Sequence, residues 1–459
     1  MLQVLSSSHA GALAFSNNGS LAALASLLGR THNPQALEKI TSTLWNLLRH
    51  ESLRAALVEL CLPALVEHVL VPESGWRSNF GDSPASTSPP GSSASPSAAF
   101  CNALTCLREL SSADPDGRLS TWKGEGLVDC VLRFVRSALR GRNIETKAVE
   151  DAVCVLHQLS VHMLHNVPHC GDSRLGGGSW GGAASHSSTL KTGWELLFQA
   201  DTVSCYVSLL QQSHNVLVLQ AATRSIYTLA SGDTQWSALS RTAVAHNGGL
   251  PCLLEQLRSG RSRSSDDDER RLLAYTSVHA LRVLARNDPN NQRLIGLHNG
   301  VRILTAMLPD AAEAGSGGGG GDGGDGGDGG EASRLGEEGL SAVLWALTAL
   351  VSGSVANAQR LHRGGGIRRI VAIRTSRTAC SQDLFAARAL LTVLWAHHDL
   401  RASYKKCGGW DREHFLSPRC HEQQQRRRQQ QQQHVHSLWH QWQLCQQWQL
   451  WQQWRQSQL

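Results

Sequence analysis

One short signature recurs along this chain and restricts its fold more than any other feature. The signature is an aliphatic residue, two variable residues and a leucine, and it closes one long apolar segment after another. It stands at residues 44–47, 107–110, 156–159, 226–229, 281–284 and 347–350. Successive copies begin between 49 and 70 residues apart. Such a recurrence predicts a chain built from stacked structural repeats.

Low-complexity segments separate several of these copies. The inserts are a Ser/Pro-rich segment near 78–97, a Gly/Ser-rich segment near 169–192 and a Gly/Asp-rich segment near 311–334. We expect all three to be disordered loops, and the Gln/Trp-rich tail at 417–459 to be disordered too. The Gly/Asp insert shares its composition with calcium-binding nonapeptides, but it lacks the alternating aliphatic residues that those repeats need. A plain linker is therefore the favoured interpretation.

Once the inserts are removed, the period falls near ~40–45 residues, the length of HEAT and armadillo units. Each unit places a glycine before a short predicted helix, and a longer helix follows. The short helices are predicted at residues 20–28, 127–139, 250–257 and 367–373, and longer ones at 34–49 and 147–161. In the first long helix Ile40, Leu44 and Leu47 form one apolar stripe. A neighbouring unit must cover that stripe, because a single unit cannot bury it.

The sequence therefore predicts an all-α fold, a right-handed superhelical solenoid of armadillo repeats. The repeat domain is expected to span residues 19–416 and to hold about seven units, the first without its leading helix. Residues 1–18 are expected to be a partial or disordered N-terminus.

Composition and motifs exclude several other classes of protein. The net charge of +6 is too small and too scattered to indicate nucleic-acid binding. None of the 12 cysteines lies in a CxxC pair, which favours reduced, mostly buried thiols in a cytosolic protein. The N-terminus has no basic segment typical of a signal peptide. The uncharged stretch 339–359 is broken by polar residues, so a core helix is favoured over a membrane span. No catalytic or metal-binding motif occurs, so neither an enzyme nor a cofactor is expected.

Several segments carry a more specific resemblance. They include LEKITSTLWNLLRHESLRAALVELCLPALVEHVLVPESGW at 37–76, CLRELSSAD at 106–114, KAVEDAVCVLHQLSVHMLHNVP at 147–168, GWELLFQADTVSCYVSLL at 193–210 and the closing CGGWDREHF. Together they resemble the delta-catenin and plakophilin family of armadillo proteins. That family usually has nine repeats, so the resemblance is partial at the N-terminus, where about two opening repeats are missing.

The resemblance implies a cytoplasmic adaptor that binds the juxtamembrane segment of cadherin cytoplasmic tails. Such an adaptor would support cell–cell adhesion and influence the cytoskeleton and Rho signalling. Desmosomal proteins and Rho-family regulators are further implied partners. The implied location is the adherens junction on the inner face of the plasma membrane, reached through the partner, with the nucleus as an alternative.

A peptide-binding groove is predicted on the long helices. Trp45, Asn46 and Arg49 share the face opposite the apolar stripe. The Asn46 amide can bond to an extended peptide backbone, and Trp45 can form an apolar wall. The resemblance implies that this Trp-Asn pair contacts cadherin. The alternative for Trp45 is simple packing against the next repeat.

The next two signatures supply the other candidate groove residues, which are Arg108, His157 and Gln158. Gln158 can bond to a peptide backbone in the way Asn46 can. Arg108 occupies the family's Arg position and could pair with a partner carboxylate, or it could be a solvated cation. At the same repeat, Glu109 would repel an acidic peptide.

Two other functions remain open at this point. An importin-like receptor for peptide cargo also uses armadillo Trp-Asn pairs, but it needs several of them and acidic walls for basic cargo. A diverged fragment without cadherin binding is the second alternative.

Overall fold

The computed structural model describes residues 6–8, 10–11, 14–15, 19–74, 96–113, 126–166, 193–259, 267–309, 336–376 and 379–416. Every regular element in these ranges is helical, so the all-α armadillo prediction is confirmed. Most of the three predicted inserts and the whole predicted tail lie outside the described residues. The chain divides into two compact units, Met1–Leu394 and Trp395–Leu459.

The helices are α1 (Ser20–Arg30), α2 (Pro34–Leu48), α3 (Glu51–Leu60), α4 (Leu62–Ser74), α5 (Ala98–Ala113), α6 (Leu127–Gly141), α7 (Lys147–Asn166), α8 (Ala200–Gln212), α9 (Val216–Ala230), α10 (Gln235–His246), α11 (Gly249–Ser259), α12 (Asp267–Ala285), α13 (Pro289–Leu297), α14 (Gly300–Ala306), α15 (Gly336–Val351), α16 (Val355–Arg363), α17 (Gly366–Thr375), α18 (Ser381–Ala396), α19 (Arg401–Gly408) and α20 (Arg412–Phe415). A π-helical segment, Val66–Leu70, lies within α4. Single 3-10 helices occupy Gly193–Phe198 and His398–Leu400.

Local sequence signals explain where these helices begin. At α2 the Asn33 side chain accepts a hydrogen bond from the backbone N–H of Gln35 at 2.9 Å, and Pro34 occupies the first helical position. At α1 and α6 the preceding residues, Gly19 and Gly126, have φ of 65° and 73°. That left-handed backbone favours glycine, which accounts for the glycine before each short predicted helix.

The repeat unit of the first compact unit is two or three helices ending in a long third helix. The third helices are α2, α5, α7, α9, α12, α15 and α18, and neighbours along the first six pack directly against each other. The predicted stripe of α2 lies in the core, where Ile40, Leu44 and Leu47 are 8%, 1% and 0% exposed. Burial of such stripes between neighbouring units is the main source of stability in a repeat fold.

Buried amide side chains also join neighbouring units. Gln292 Nε2 on α13 donates to the carbonyls of Ala285 and Ala349, both at 3.0 Å. Asn357 Nδ2 on α16 donates to the carbonyls of Gln292 at 2.8 Å and Leu350 at 3.0 Å. Three of these four acceptors, the carbonyls of Ala285, Ala349 and Leu350, lie at the C-termini of third helices, where carbonyls lack partners within the helix. They therefore fix the register between one repeat and the next.

Many of the cysteine side chains lie in the core. Cys61, Cys106, Cys130, Cys154 and Cys205 are buried, and every cysteine in the described ranges is a free thiol. Burial raises the pKa of the Cys61 thiol to about 12. The Cys61 thiol thus stays protonated at neutral pH and packs as a small apolar group.

Residues 339–351 of the uncharged stretch 339–359 lie in α15, and most of their side chains are buried. In the described part of the chain no single helix is long and apolar enough to cross a membrane. The helices α3 and α4 meet the length and composition requirement only as a pair, with a bend of 59° between them.

The second unit has its own small aromatic core. The Phe415 ring lies 5.0 Å from the Trp395 ring and 5.2 Å from the Tyr404 ring, measured between centroids. The Arg401 guanidinium lies 4.7 Å from the Trp395 centroid. The closing motif that resembled the catenin family therefore supplies a packing residue, Phe415, to this unit.

Candidate functional site

The third helices share one matching face, which we call the third-helix ladder. It consists of the second and third residues of each signature, of residues up to two turns before or after them on the same helix, and of the matching face of α18. The signature pairs are Trp45/Asn46, Arg108/Glu109, His157/Gln158, Tyr227/Thr228, Arg282/Val283 and Thr348/Ala349. Because the helices pack side by side, these faces adjoin from α2 to α15.

The α2 end of the ladder holds three predicted groove residues together. Trp45 and Asn46 are half-buried and Arg49 is exposed. The Arg49 guanidinium lies 5.1 Å from the Trp45 ring centroid, close enough for a cation–π contact. Asn46 Nδ2 donates to Ser6 Oγ at 3.3 Å. A peptide that uses the Asn46 amide must therefore displace this bond to the chain's own N-terminal residues.

Arg108 is placed differently from either sequence interpretation. Its Nη1 lies 2.9 Å from Glu150 Oε1 and 2.5 Å from Asp151 Oδ1 on the next third helix. The side chains of the three residues are 3%, 4% and 0% exposed. Lys147 also donates to both carboxylates, and Thr105 Oγ1 donates to Asp151 Oδ2 at 2.7 Å.

This cluster corrects both interpretations of Arg108, the partner-binding cation and the solvated one. The guanidinium is out of solvent, and two carboxylates of α7 already hold it. A third carboxylate from a partner would meet two negative charges at the same place. Arg108 thus links α5 to α7, and its guanidinium is not accessible to a peptide at this repeat.

His157 and Gln158 are also largely inaccessible. They are 6% and 3% exposed. The Oε1 atom of Gln158 is buried and has no hydrogen-bond partner among the described residues. An acceptor in that state costs free energy, and a donor from a bound peptide could satisfy it if the side chain turned outward. Contact of a peptide with this pair stays a prediction.

An aromatic stretch that the signatures did not reveal occupies the ladder from α9 to α18. It consists of Tyr227, Tyr275, His279, Arg282, Trp345 and Phe385. The His279 ring lies 6.0 Å from Tyr227 and 4.6 Å from Tyr275, both edge-on. Tyr275, Trp345 and Phe385 are half-buried, so parts of their faces remain open to solvent.

Arg282 links the two halves of the aromatic stretch. Its guanidinium lies 5.6 Å from the Trp345 ring centroid, and the Trp345 ring lies 5.7 Å from Phe385. Burial lowers the pKa of Arg282, while the neighbouring Tyr227 opposes that shift. A cation beside half-open aromatic faces can hold both an apolar and an acidic side chain.

The aromatic stretch carried a sequence signal that was not used. Tyr275 lies six residues before the signature that contains Leu281, and Trp345 lies two residues before the one that contains Leu347. Residues one or two turns upstream on a third helix share the ladder face. A search for aromatic residues at those offsets would have found them.

The described residues contain no group of three or more His, Cys, Asp or Glu side chains placed to hold a metal ion. The ladder carries half-buried aromatic side chains, the amides of Asn46 and Gln158, and a few cations. Repeated third helices bearing such side chains define the chain's class, an armadillo-repeat protein.

Comparison with known proteins agrees with that class. The chain is 30% identical over 442 residues to human plakophilin-4, an alignment that covers 88% of this chain and 34% of plakophilin-4. It is 28% identical over 439 residues to human catenin delta-2, covering 88% of this chain and 33% of that protein. The predicted resemblance to the delta-catenin and plakophilin family is thus confirmed. The chain spans about a third of the length of these relatives.

Among solved structures, the crystal structure of an engineered protein aligns with a TM-score of 0.51 and 16% sequence identity. The alignment covers 89% of this chain and 87% of the engineered protein, and it supports the fold alone. No protein-family model matches the chain.

Proposed function

We propose that this chain is a catenin-like adaptor whose third-helix ladder binds a peptide segment of another protein. The proposed partner is the juxtamembrane segment of a cadherin cytoplasmic tail. The observation that carries the proposal is a pair of partly exposed contact surfaces on one ladder. One is Trp45 with Arg49 on α2, and the other is formed by the half-buried Tyr275, Trp345 and Phe385 on α12, α15 and α18. The similarity to a catenin and a plakophilin supports the choice of partner.

The charges on the ladder favour an acidic peptide. Arg49 and Arg286 are exposed, and Arg282 lies half-buried between aromatic rings. The ladder carboxylates Glu150 and Asp151 are buried and bonded to cations of the chain itself. Arg49 and Arg282 therefore offer positive charge to acidic side chains of a partner, whereas the half-buried Glu109 opposes them and Arg286 is paired with Asp233 at 3.4 Å.

The same charges disfavour an importin-like function. A receptor for basic cargo needs exposed carboxylates along its groove. In the Arg108 cluster the carboxylates of Glu150 and Asp151 are buried and paired with Arg108. The described ladder also carries one Trp-Asn pair, at Trp45 and Asn46, where such a receptor needs several.

The buried middle of the ladder makes the proposed interface discontinuous. Between α2 and α9 the signature residues Arg108, His157 and Gln158 are covered. A bound peptide would therefore be anchored at two separate places and cross the middle with few contacts. Anchors of this kind usually contribute most of the binding free energy.

Titration calorimetry of the full chain with a synthetic cadherin juxtamembrane peptide tests the proposal. Trp45→Ala should weaken binding by about 1–3 kcal/mol, the range for an aromatic interface anchor. Trp236→Ala is the matched control, because Trp236 lies on α10, away from the ladder. Its ring centroid lies 6.1 Å from that of Phe198. Far-UV circular dichroism and the melting temperature of each variant check the fold.

Absence of binding by the wild-type chain would contradict the cadherin proposal and leave the diverged-fragment alternative. Equal affinities for the wild type and for Trp45→Ala would contradict the α2 anchor. We further propose that the protein acts in adhesion and Rho signalling at the cytoplasmic face of adherens junctions. Imaging of a tagged chain in epithelial cells, with and without cadherin at the contacts, tests that location.

A further inference from the structure

A second exposed surface lies away from the ladder, on the first helices of three successive repeats. We call it the first-helix row, and it comprises the solvent faces of α10, α13 and α16. These helices adjoin in order, since α13 packs against both α10 and α16. The third-helix ladder does not use this surface.

Exposed aliphatic side chains concentrate on the first-helix row. The large apolar residues exposed in the described ranges are Leu27, Leu60, Leu239, Leu297 and Val355. Three of these five belong to the row, where Leu239, Leu297 and Val355 are 50%, 54% and 43% exposed. One such residue on each successive helix is a pattern that the stability of the fold does not require, because none of them packs in the core.

The row is also basic. The three helices contain no Asp or Glu, and Arg293, Arg360 and Arg363 are exposed on them. Arg293 and Arg360 bond only to neutral side-chain amides, those of Asn290 and Asn357. Among the described residues none of these three arginines forms an ion pair with a carboxylate.

The surroundings of the row carry few compensating carboxylates. No Asp or Glu occurs between Glu338 and Asp383, whereas that stretch contains six arginines. The acids closest in sequence precede the helices: Asp288 caps α13 and Asp233 pairs with Arg286 at 3.4 Å. Among the described residues no carboxylate pairs with the arginines of the row, so their positive charge is available to an anionic partner.

The geometry points to an anionic lipid bilayer as that partner, and we propose that the first-helix row binds its surface directly. Arg293 and Leu297 are four residues apart and so share one face of α13. Aliphatic groups beside arginines can enter the boundary between lipid headgroups and acyl chains while the guanidiniums bind phosphate. Nucleic acid would use the arginines but gain nothing from exposed leucine and valine. An acidic peptide would find no enclosing groove on the solvent faces of helices.

Vesicle co-sedimentation of the full chain tests this proposal. The wild type should bind vesicles of equal parts phosphatidylcholine and phosphatidylserine and should not bind phosphatidylcholine alone. The triple variant Arg293→Gln, Arg360→Gln, Arg363→Gln should bind about 100-fold more weakly, because each arginine contributes about fivefold near an anionic surface. The matched control makes the same replacement at three exposed arginines outside the row, which are Arg30, Arg133 and Arg140. Its affinity for the anionic vesicles should fall much less.

A second pair of variants tests the aliphatic contacts. Leu297→Ser should reduce vesicle binding about five- to tenfold, since a partly exposed leucine loses its burial in lipid. Leu60→Ser is the control, because Leu60 is 42% exposed on α3, outside the row. Unchanged circular dichroism would show that all variants are folded.

Three results would overturn the proposal. The first is no binding of the wild type to the anionic vesicles. The second is an equal loss of vesicle affinity in the row variant and in the control variant, which would indicate that binding depends on net charge alone. The third is row-dependent binding to a DNA duplex without vesicle binding, which would assign the row to nucleic acid. The row variants should leave cadherin-peptide affinity unchanged, so failure of this proposal is distinguishable from failure of the proposed function.

Discussion

Removal of the Arg108 side chain should destabilise the repeat domain far more than removal of any exposed arginine. In Arg108→Leu the carboxylates of Glu150 and Asp151 would remain, 4% and 0% exposed, without their main cation. Breaking a buried ion pair by deleting one partner costs about 3–5 kcal/mol. Lys147 still bonds to both carboxylates, and its side chain is 58% exposed. We therefore expect a loss near the lower limit, about 3 kcal/mol.

Urea denaturation followed by far-UV circular dichroism measures this loss. Arg140→Leu, an exposed position on α6, is the control and should change the free energy of unfolding by less than about 0.5 kcal/mol. Repeat proteins can unfold in parts. Hydrogen exchange of the α5 and α7 amides should therefore show where the loss falls.

Neutralising the carboxylates gives the decisive comparison. Adding Glu150→Gln and Asp151→Asn to Arg108→Leu removes the uncompensated charge, so it should restore part of the lost stability. Such recovery is the signature of a charge effect, since a packing defect at Arg108 would persist. A loss below about 1 kcal/mol in the single variant would refute the argument that the cluster is buried and charged.

The remaining predictions concern three other places. Asn46→Ala should weaken cadherin-peptide binding by about 1–3 kcal/mol in calorimetry with an unchanged melting temperature, and equal affinity would exclude this amide from the interface. Gly296→Ala should cost about 1–3 kcal/mol by urea denaturation, because the new Cβ would lie 2.0 Å from Asn357 Oδ1. Gly141→Ala is its control, with no atom within 4 Å of the new Cβ, and a similar loss there would contradict the clash. Cys61 should resist iodoacetamide at neutral pH while the exposed Cys407 reacts. Burial raises the pKa of Cys61 from 9.0 to about 12, so between these pH values the thiol is protonated in the folded state and ionised in the unfolded chain. The free energy of unfolding should therefore fall as the pH rises through this window. A urea titration that shows no such fall, or labelling of Cys61 at the rate of Cys407, would count against its burial.

The repeat architecture could be predicted because it follows from local periodicity. Residues 34–49 were expected to be helical, and the helix runs from Pro34 to Leu48. Ile40, Leu44 and Leu47 were expected in the core and are buried there. The apolar stripe of each helix and the signals at its ends are carried by the helix's own residues and their immediate neighbours, so both properties are encoded within one unit of sequence.

The candidate site was less accessible to sequence reasoning. Trp45, Asn46 and Arg49 were expected on one face and lie together, because helical spacing alone decides that arrangement. The offsets of Tyr275 and Trp345 from their signatures would have placed both residues on the same face, but their partial exposure depends on the helices at either side.

The sequence by itself determined the repeat, its period, the positions of the main helices and the side of each helix that faces the core. Only the tertiary structure decided which side chains remain available. Arg108 and Glu150 are 42 residues apart in the chain, and no local pattern shows that they meet. The packing register between α5 and α7 brings the guanidinium to the two carboxylates and takes all three out of water. Charge pairing and solvent exposure depend on neighbours across repeats, so they are properties of the stack and not of any single unit.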